Sequence, residues 1–487
     1  MSLKKQAARG GMWVSITRTG INVIDFAVFA YLARILTLEE FGLVGFCLLF
    51  IEFANTVVTA GVNQNIVQRK IWDEGYASST MIYVFGLAVL AATCLIFVGA
   101  PVAQNLYSNT AAYVVMSLAP ITLLMSLQTV FNGKLVREFK NKQMGIAKFI
   151  ASVLSGIIIV VLAENGFGLW ALVIGRLIHS TLELGFMSFL AKFKPKLKFN
   201  KADNKELVHF CLPLLGSALL TVFHQRVSSI LTGIALGPAS FALLNAAKKG
   251  EQMINQVTLT SINSMVVPSF SRAEKGADLG DLYIKLVSVT ATVIMPIFMG
   301  LAAIADPFVI IAFGEKFSDS AIFMSISAFT MFPALLAWFL PTLLISQAQT
   351  KDAFNLTLLA VISNTIVAAC TIWFGITVML ISIVIINFLI LPIRFKVVIK
   401  HIPIDFKKLF FAISPPYICS LVMYAVVSLS KNYLDAFITN DIMTLIALVT
   451  FGGVSYILLS FVLFYKKTLI QIQEIKQMFF SSKNKIK

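Results

Sequence analysis

Charge and histidine are scarce in this chain. Only 13% of its 487 residues are Asp, Glu, Lys or Arg, and four are His. A soluble domain carries about 25% charged residues, so most of a water-facing surface is missing. There is no GxxxxGK[ST] stretch, which excludes a P-loop for ATP, and no HExxH spacing, which excludes that zinc pattern. The five cysteines (Cys47, Cys94, Cys211, Cys370 and Cys419) are odd in number, form no CxxC pair and lie in apolar runs. They are expected to be small buried apolar residues, with neither a disulfide frame nor a metal site. Long loops are missing too. The turns TLEE, ENGFG, GPAS and GIT are short, and only DPFVIIAFGEKFSDS and SKNYLDAFITND have any length. No segment is large enough for a separate catalytic or receptor domain.

What is present is apolar: 58% of the residues are hydrophobic. A chain of this kind needs lipid as its solvent, so the expected fold class is an all-α polytopic membrane protein. Runs of bilayer length number fourteen, the first near 13–36 and the last near 441–464. The basic start MSLKKQAARGG precedes a run too long and too charged for a signal peptide, so a retained first span with a cytosolic N-terminus is expected. With that orientation thirty of the 39 Lys and Arg fall in cytosolic segments, and only Arg34, Lys316 and Lys431 fall outside. The net charge of +16 is thereby an orientation signal directed at anionic inner-leaflet lipid, and needs no nucleic acid partner.

The most polar internal stretch, KFKPKLKFNKADNKEL (192–207), divides six spans from the next six. The expected organisation is a six-helix bundle over 1–200, a second over 201–400, and two added spans with a basic cytosolic tail over 401–487. Shifted by 200 positions, ILTLEEFGLVGF (35–46) lies on ALGPASFALLNA (235–246), matching Leu36 with Leu236, Phe41 with Phe241 and Leu43 with Leu243. Two repeated halves are a recurrent transporter plan. In the tail, Leu469, Ile472, Ile475 and Phe479 have the spacing of an amphipathic helix lying on the inner membrane face.

Several spans carry residues that lipid cannot solvate. Arg18, Asn22, Asp25 and Phe29 share one face of the first span; Glu52, Asn55, Thr59 and Asn63 share one of the second. The sixth has Arg176, His179, Ser180 and Glu183. The seventh has Ser217, Thr221, His224 and Ser228, with Arg226 off that stripe. The eighth has Asn245, Lys248, Lys249, Gln252, Asn255, Gln256 and Asn263. Such groups face a protein interior or a watery cavity. Part of this pattern has a purely structural reading. Arg18 and Asp25 can lock helix packing, and Lys248 and Glu251 can neutralise each other. Lys148 can snorkel from a cytosolic end, Arg176 can reach Glu183 through Ser180, and His179 and His224 can be packing residues. The aggregate of cations on several spans points to function, since a basic lumen suits anionic cargo.

Five stretches, in order along most of the chain, carry a family resemblance: YLARILTLEEFGLVGF (31–46), GFGLWALVIGRL (166–177), LLNAAKKGEQM (243–253), VVPSFSRAE (266–274) and FGEKFSDSA (313–321). The sequence resembles the polysaccharide transporter family of the multidrug/oligosaccharidyl-lipid/polysaccharide exporter superfamily. The resemblance implies two six-helix bundles around a central cavity plus a C-terminal helix pair. It implies a flippase for undecaprenyl-diphosphate-linked oligosaccharide repeat units, feeding O-antigen, capsule or exopolysaccharide synthesis by alternating access. By span and face, Arg18, Arg226, Lys248 and Lys249 match the cations that meet the diphosphate in relatives. Arg176, Asn245 and Gln252 complete the candidate substrate-binding set. Without ATP chemistry, Asp25, Glu52 and Glu183 are the candidate carriers of a coupling H+ or Na+, and no other cofactor is expected. One departure stands out: HQRVSSILTG in span 7 lacks the aspartate that many relatives carry there. Implied partners are the lipid-linked cargo, membrane lipids, and a polysaccharide polymerase with its chain-length machinery. The implied location is the bacterial cytoplasmic membrane, with both termini cytosolic. A drug or organic-cation antiporter of the same superfamily is the alternative, although its lumen favours carboxylates. A membrane glycosyltransferase or polymerase needs acidic groups in a large outer loop, and Glu39 and Glu40 sit in a turn too short for that.

Overall fold

In a bilayer no water satisfies the backbone, so a spanning segment must make its hydrogen bonds within itself. Regular structure among the described residues is helical throughout. The computed structural model describes residues 3–69, 72–196, 199–272, 277–437 and 440–484, with side chains described over 13–69, 72–196, 199–255, 279–431, 433, 440–465, 467–469 and 471. Gln256, Asn263, all of VVPSFSRAE, and Ile472, Ile475 and Phe479 of the tail lie outside the described side chains.

Among the described residues, thirteen helices are long and apolar enough to cross a membrane. They are α1 (Trp13–Ile35), α2 (Leu38–Gln68), α3 (Glu74–Leu106), α4 (Asn109–Arg137), α5 (Asn141–Glu164), α6 (Leu169–Ala191), α7 (Lys201–Asn255), α8 (Leu279–Ala303), α9 (Ser320–Ser346), α10 (Thr350–Phe374), α11 (Ile376–Ile399), α12 (Phe406–Lys431) and α13 (Asp441–Tyr465). The difference from fourteen runs lies in α7. Its helical run is continuous from Lys201 to Arg272 except at Gly237, where φ is 85° and ψ is 179°. Only glycine adopts that backbone readily, and Pro238 then starts the second arm with its fixed φ and no N–H to leave unpaired. Each arm has about 35 residues, about 50 Å of helix, so the seventh and eighth sequence runs are the two arms of one interrupted helix.

The chain forms two compact units, Met1–Leu243 and Leu244–Lys487. In the first, α1 lies along α5, α5 along α6, and α2, α3 and α6 against α4. Their contacts bury Cys47, Leu118 and Val173 in one cluster and Ile66, Phe131 and Met187 in another. In the second, α8 lies along α12, α12 along α13, and α9 and α10 along α11, around Tyr283, Phe339 and Phe298. All five cysteines are free thiols, with Cys47 and Cys419 buried and Cys94 and Cys370 exposed.

The TLEE turn has a defined local role. Thr37 Oγ1 accepts from Glu40 N at 3.2 Å and Glu40 Oε2 accepts from Thr37 N at 3.0 Å, a reciprocal cap that starts α2. One turn further on, α2 meets the break of α7. A Cβ on Gly42 would stand 1.7 Å from the Pro238 carbonyl oxygen, so the two backbones touch directly. Phe46 and Phe241 meet edge to face at 5.6 Å, and Tyr107 Oη donates to Gly233 O at 2.7 Å beside them. The stretches 35–46 and 235–246, aligned by the 200-residue shift, therefore contact each other.

In the second unit, α12 contains Pro415 and Pro416. Two prolines remove the amides that would bond the carbonyls four residues back, Phe411 O and Ala412 O. Both carbonyls find other donors. Lys467 Nζ donates to Phe411 O at 3.1 Å, and Ser414 Oγ donates at 3.4 Å. Ala412 O accepts from Ser288 Oγ at 3.1 Å and from Gln471 Nε2 at 3.3 Å, and Gln471 Nε2 is also 3.0 Å from Ser288 Oγ. The helix leaving α13 breaks at Phe464 (φ −137°, ψ 36°), just ahead of these two side chains. The start of the tail is thus pinned to α12 by carbonyls that the prolines freed.

Two outcomes are expected. Gly42→Leu loses folded protein, because the contact is backbone and cannot yield; a misfit of this kind costs about 3 kcal/mol or more. Gly86→Leu, with open space around it, keeps a wild-type gel-filtration profile. Second, Gln471→Leu speeds amide exchange across 464–471, and Pro415→Ala with Pro416→Ala, which returns the missing donors, reduces that effect. Equal acceleration on both backgrounds would count against the proline-freed carbonyls as the anchor.

Candidate functional site

Charges inside apolar helices must find partners, and in the first unit they gather on three neighbouring helices. Asp25 on α1 is exposed to one side and accepts from Ser152 Oγ of α5 at 3.3 Å. Lys148, one turn before Ser152, pairs with Glu183 of α6 at 2.9 Å. His179 of α6 lies in the field of Glu183, Arg176, Asp25 and Lys148 together. Asp25, Lys148, Ser152, Arg176, His179 and Glu183 therefore form one polar cluster across α1, α5 and α6. Glu183 does not pair with Arg176 as its spacing allowed, and Lys148 does not snorkel. The two bind each other, with the Glu183 side chain only 13% exposed.

The second arrangement joins α2 to the first arm of α7. Arg226 Nε stands 3.0 Å from Glu52 Oε2, while Nε and Nη2 donate to Oε1 at 3.3 and 3.2 Å. The guanidinium covers both carboxylate oxygens, the geometry with which arginine also grips phosphate. Both side chains are about one-third exposed (29% and 34%), so the pair is reachable. Arg18 and Arg176 are exposed and have no carboxylate within ion-pair distance among the described residues.

The remaining candidates sit in the second unit. Asn245, Lys248, Lys249 and Gln252 are half-buried on the second arm of α7. Glu251 lies in the field of Lys248 and hydrogen-bonds Asn255, as the local pairing of 248 with 251 suggested.

Other polar residues of the stripes need no cavity. Thr221 Oγ1 donates to Ser217 O at 2.8 Å, Ser217 Oγ to Leu214 O at 2.9 Å and Thr59 Oγ1 to Asn55 O at 2.7 Å. Hydroxyls that bond their own helix carry little functional information. Asn55 differs: it is buried, and its Oδ1 accepts no hydrogen bond. Sequence reasoning missed Ser152 and the Lys148–Glu183 pair, since 35 positions separate the partners. It also missed a polar ring at one end of this unit, where Arg69 pairs with Glu206 at 2.6 Å and stacks on Tyr76 at 3.3 Å. Tyr76 Oη donates to Asn65 Oδ1 at 2.6 Å in the same ring.

Comparisons with known proteins agree over most of the chain. A family model described as "Polysaccharide biosynthesis protein" matches residues 31–322. The succinoglycan biosynthesis transport protein ExoT of Rhizobium meliloti (strain 1021) is 25% identical over 463 residues, 93% of this chain and 92% of that one. The lipopolysaccharide biosynthesis protein WzxC of Escherichia coli (strain K12) is 22% identical over 66% of this chain and 65% of its own length. Among solved structures, the lipid II flippase MurJ in an inward closed conformation aligns with a TM-score of 0.78 at 15% identity, covering 93% of this chain and 99% of that one. An inward-facing multidrug resistance MATE transporter aligns at 0.53, also at 15% identity, covering 79% and 99%. These likenesses show a shared all-helical transporter fold and a multi-pass membrane protein.

The Lys148–Glu183 pair makes a direct prediction. Lys148→Glu sets two carboxylates face to face in the cluster, and the melting temperature of the purified protein falls by several degrees, consistent with a loss of about 2–3 kcal/mol. Adding Glu183→Lys restores most of it. A charge-swapped double variant no more stable than the Lys148→Glu protein would show that the pair does not join α5 to α6.

Proposed function

Because the chain belongs to the polysaccharide biosynthesis protein family, whose model spans residues 31–322, we propose that it is a flippase. Its cargo on this reading is a polyprenyl-diphosphate-linked oligosaccharide, moved between the leaflets of a bacterial cytoplasmic membrane for a surface polysaccharide. Both termini are cytosolic in this reading, as the one-sided distribution of Lys and Arg requires. A polysaccharide polymerase and its chain-length machinery take the repeat unit on the far side. The observation that carries the proposal is the set of arginines within apolar helices of the first unit. Arg226 holds a carboxylate with a two-pronged grip, and Arg18 and Arg176 hold none among the described residues. Hydrocarbon does not tolerate such cations, whereas a diphosphate supplies the oxygens they lack.

Arg226 and Glu52 give the mechanism its switch. An arriving diphosphate takes the guanidinium by offering the same planar pair of oxygens, and Glu52 is released. Glu52 then becomes a site for the coupling cation, H+ or Na+. When cargo leaves, Arg226 returns to Glu52 and the cation departs. Asp25, which has no ion pair within 4 Å among the described residues, is the second candidate carrier. Glu183, held by Lys148, is the weakest of the three. Arg176 adds to the diphosphate contacts of the first unit, while Asn245, Lys248, Lys249 and Gln252 are the second unit's own candidates for contact with diphosphate and sugar. A lumen for organic cations would offer unpaired carboxylates, and the basic balance here counts against that reading.

The test is transport in cells that lack their own exporter. Arg226→Ala and Arg18→Ala, at normal membrane levels, are expected to leave lipid-linked repeat units on the cytosolic side and cut surface polymer at least tenfold. Arg226→Lys restores only part of the activity, because an ammonium cannot grip two oxygens at once. Wild-type polymer from both alanine variants would remove the proposal.

A further inference from the structure

The second unit has a groove at the end of α11 that the transport mechanism does not use. Its walls are Phe388, Leu391, Pro392, Phe395 and Ile399 of α11 and Phe406 at the start of α12, and its volume is about 620 Å³. Volumes of this size hold single small molecules. Phe395 is locked in place, edge to face with Phe406 at 5.4 Å and with Tyr283 at 6.3 Å. Two further lining residues, Lys396 and Lys400, are exposed and one helical turn apart. The carboxylates at this end of the unit are engaged elsewhere. Asp352 holds His401 at 2.7 Å, Asp281 holds Lys408 at 3.2 Å, and Asp405 accepts from the backbone amides of Lys407 and Lys408 at 2.9 and 3.1 Å. Lys396 and Lys400 have no ion pair within 4 Å among the described residues.

We propose that this groove binds one anionic phospholipid, with its phosphate between Lys396 and Lys400 and an acyl chain along Phe388, Leu391 and Pro392. Length supports the assignment. The thirteen residues from Phe388 to Lys400 span about 18 Å of helix, close to the roughly 15 Å depth of one leaflet. Charge supports it too: a zwitterionic head group brings its own cation against the two lysines, while phosphatidylglycerol brings none. By the one-sided distribution of basic residues, this end faces the cytosol, the leaflet surface whose anionic lipid attracts lysines. The site is independent of the Arg226–Glu52 switch and stands or falls separately from the flippase reading.

The experiment uses the full chain, delipidated in detergent and titrated with dioleoyl phosphatidylglycerol or dioleoyl phosphatidylcholine, with retained lipid read by native mass spectrometry. The expected preference for phosphatidylglycerol is about thirtyfold, the order that two surface lysines supply. Lys396→Gln with Lys400→Gln brings phosphatidylglycerol down to the phosphatidylcholine level, with an unchanged melting temperature in detergent. Leu391→Trp, which fills the groove and keeps both lysines, lowers retention of both lipids. Equal retention of the two lipids by wild type overturns the proposal, as does undiminished retention by either variant. Displacement of phosphatidylglycerol by equimolar undecaprenyl phosphate also overturns it, assigning the groove to a polyprenyl chain instead.

Discussion

A peptide group without a partner in hydrocarbon costs several kcal/mol, and a charge costs more. Each described feature of this chain answers that cost. Helices satisfy their own amides, and the exceptions show how exceptions are settled. At Gly237 the helical run breaks where Pro238 has no amide to leave unpaired. At Pro415 and Pro416 two carbonyls lose their donors, and Lys467, Gln471 and Ser288 replace them. At Thr37 the first turn of α2 borrows the side chains of its own cap. Helix breakers are therefore sites where something else must bind, and here they fix the tail start and the meeting of α2 with α7.

The same cost sorts the polar side chains. Thr221, Ser217 and Thr59 return their hydroxyls to their own helix and ask nothing of their surroundings. Lys148 and Glu183 neutralise each other and join α5 to α6. Among the described residues of α1, α5 and α6, Arg18 and Arg176 are left without a carboxylate and Asp25 is left without a cation. Two arginines against one carboxylate leave a basic balance, which is the ground on which an anionic head group is proposed as the ligand.

The fold was largely legible in the sequence, because hydropathy and the lysine and arginine distribution report directly on lipid and on orientation. The break at Gly237-Pro238 was legible as well, since GPAS lies between two apolar runs. Pairings were less so. Spacing along one helix allowed Arg176 to reach Glu183, but the partner came from another helix, at Lys148, and periodicity within one helix does not report such contacts. Gly42 looked like any small residue of an apolar run. Only the placement of α2 on Pro238 shows that no side chain fits there. The groove over Lys396 and Lys400 was hidden for a similar reason: the sequence shows lysines near a helix end, and their separation from the neighbouring carboxylates is a property of the fold.

The two ion pairs of the first unit look alike in sequence and differ in what they can do. The carboxylate of Glu183 is almost covered, so exchanging Lys148 for another cation would require α5 and α6 to part. Glu52 and Arg226 are each about one-third exposed, and a pair so placed contributes only about 1 kcal/mol to stability. The proposed exchange with a doubly charged ligand therefore asks little of the fold. The pair's two helices are clamped elsewhere, by Gly42 on Pro238 and by Phe46 on Phe241. Glu52 lies ten residues beyond Gly42, about 15 Å along α2. A small tilt about that clamp therefore translates into a larger displacement at the ion pair. Weak coupling at Arg226 and rigid contact at Pro238 are complementary requirements. In the proposed mechanism the clamp is the fixed point of the two helices, and the pair is the place where cargo and carboxylate compete for the guanidinium.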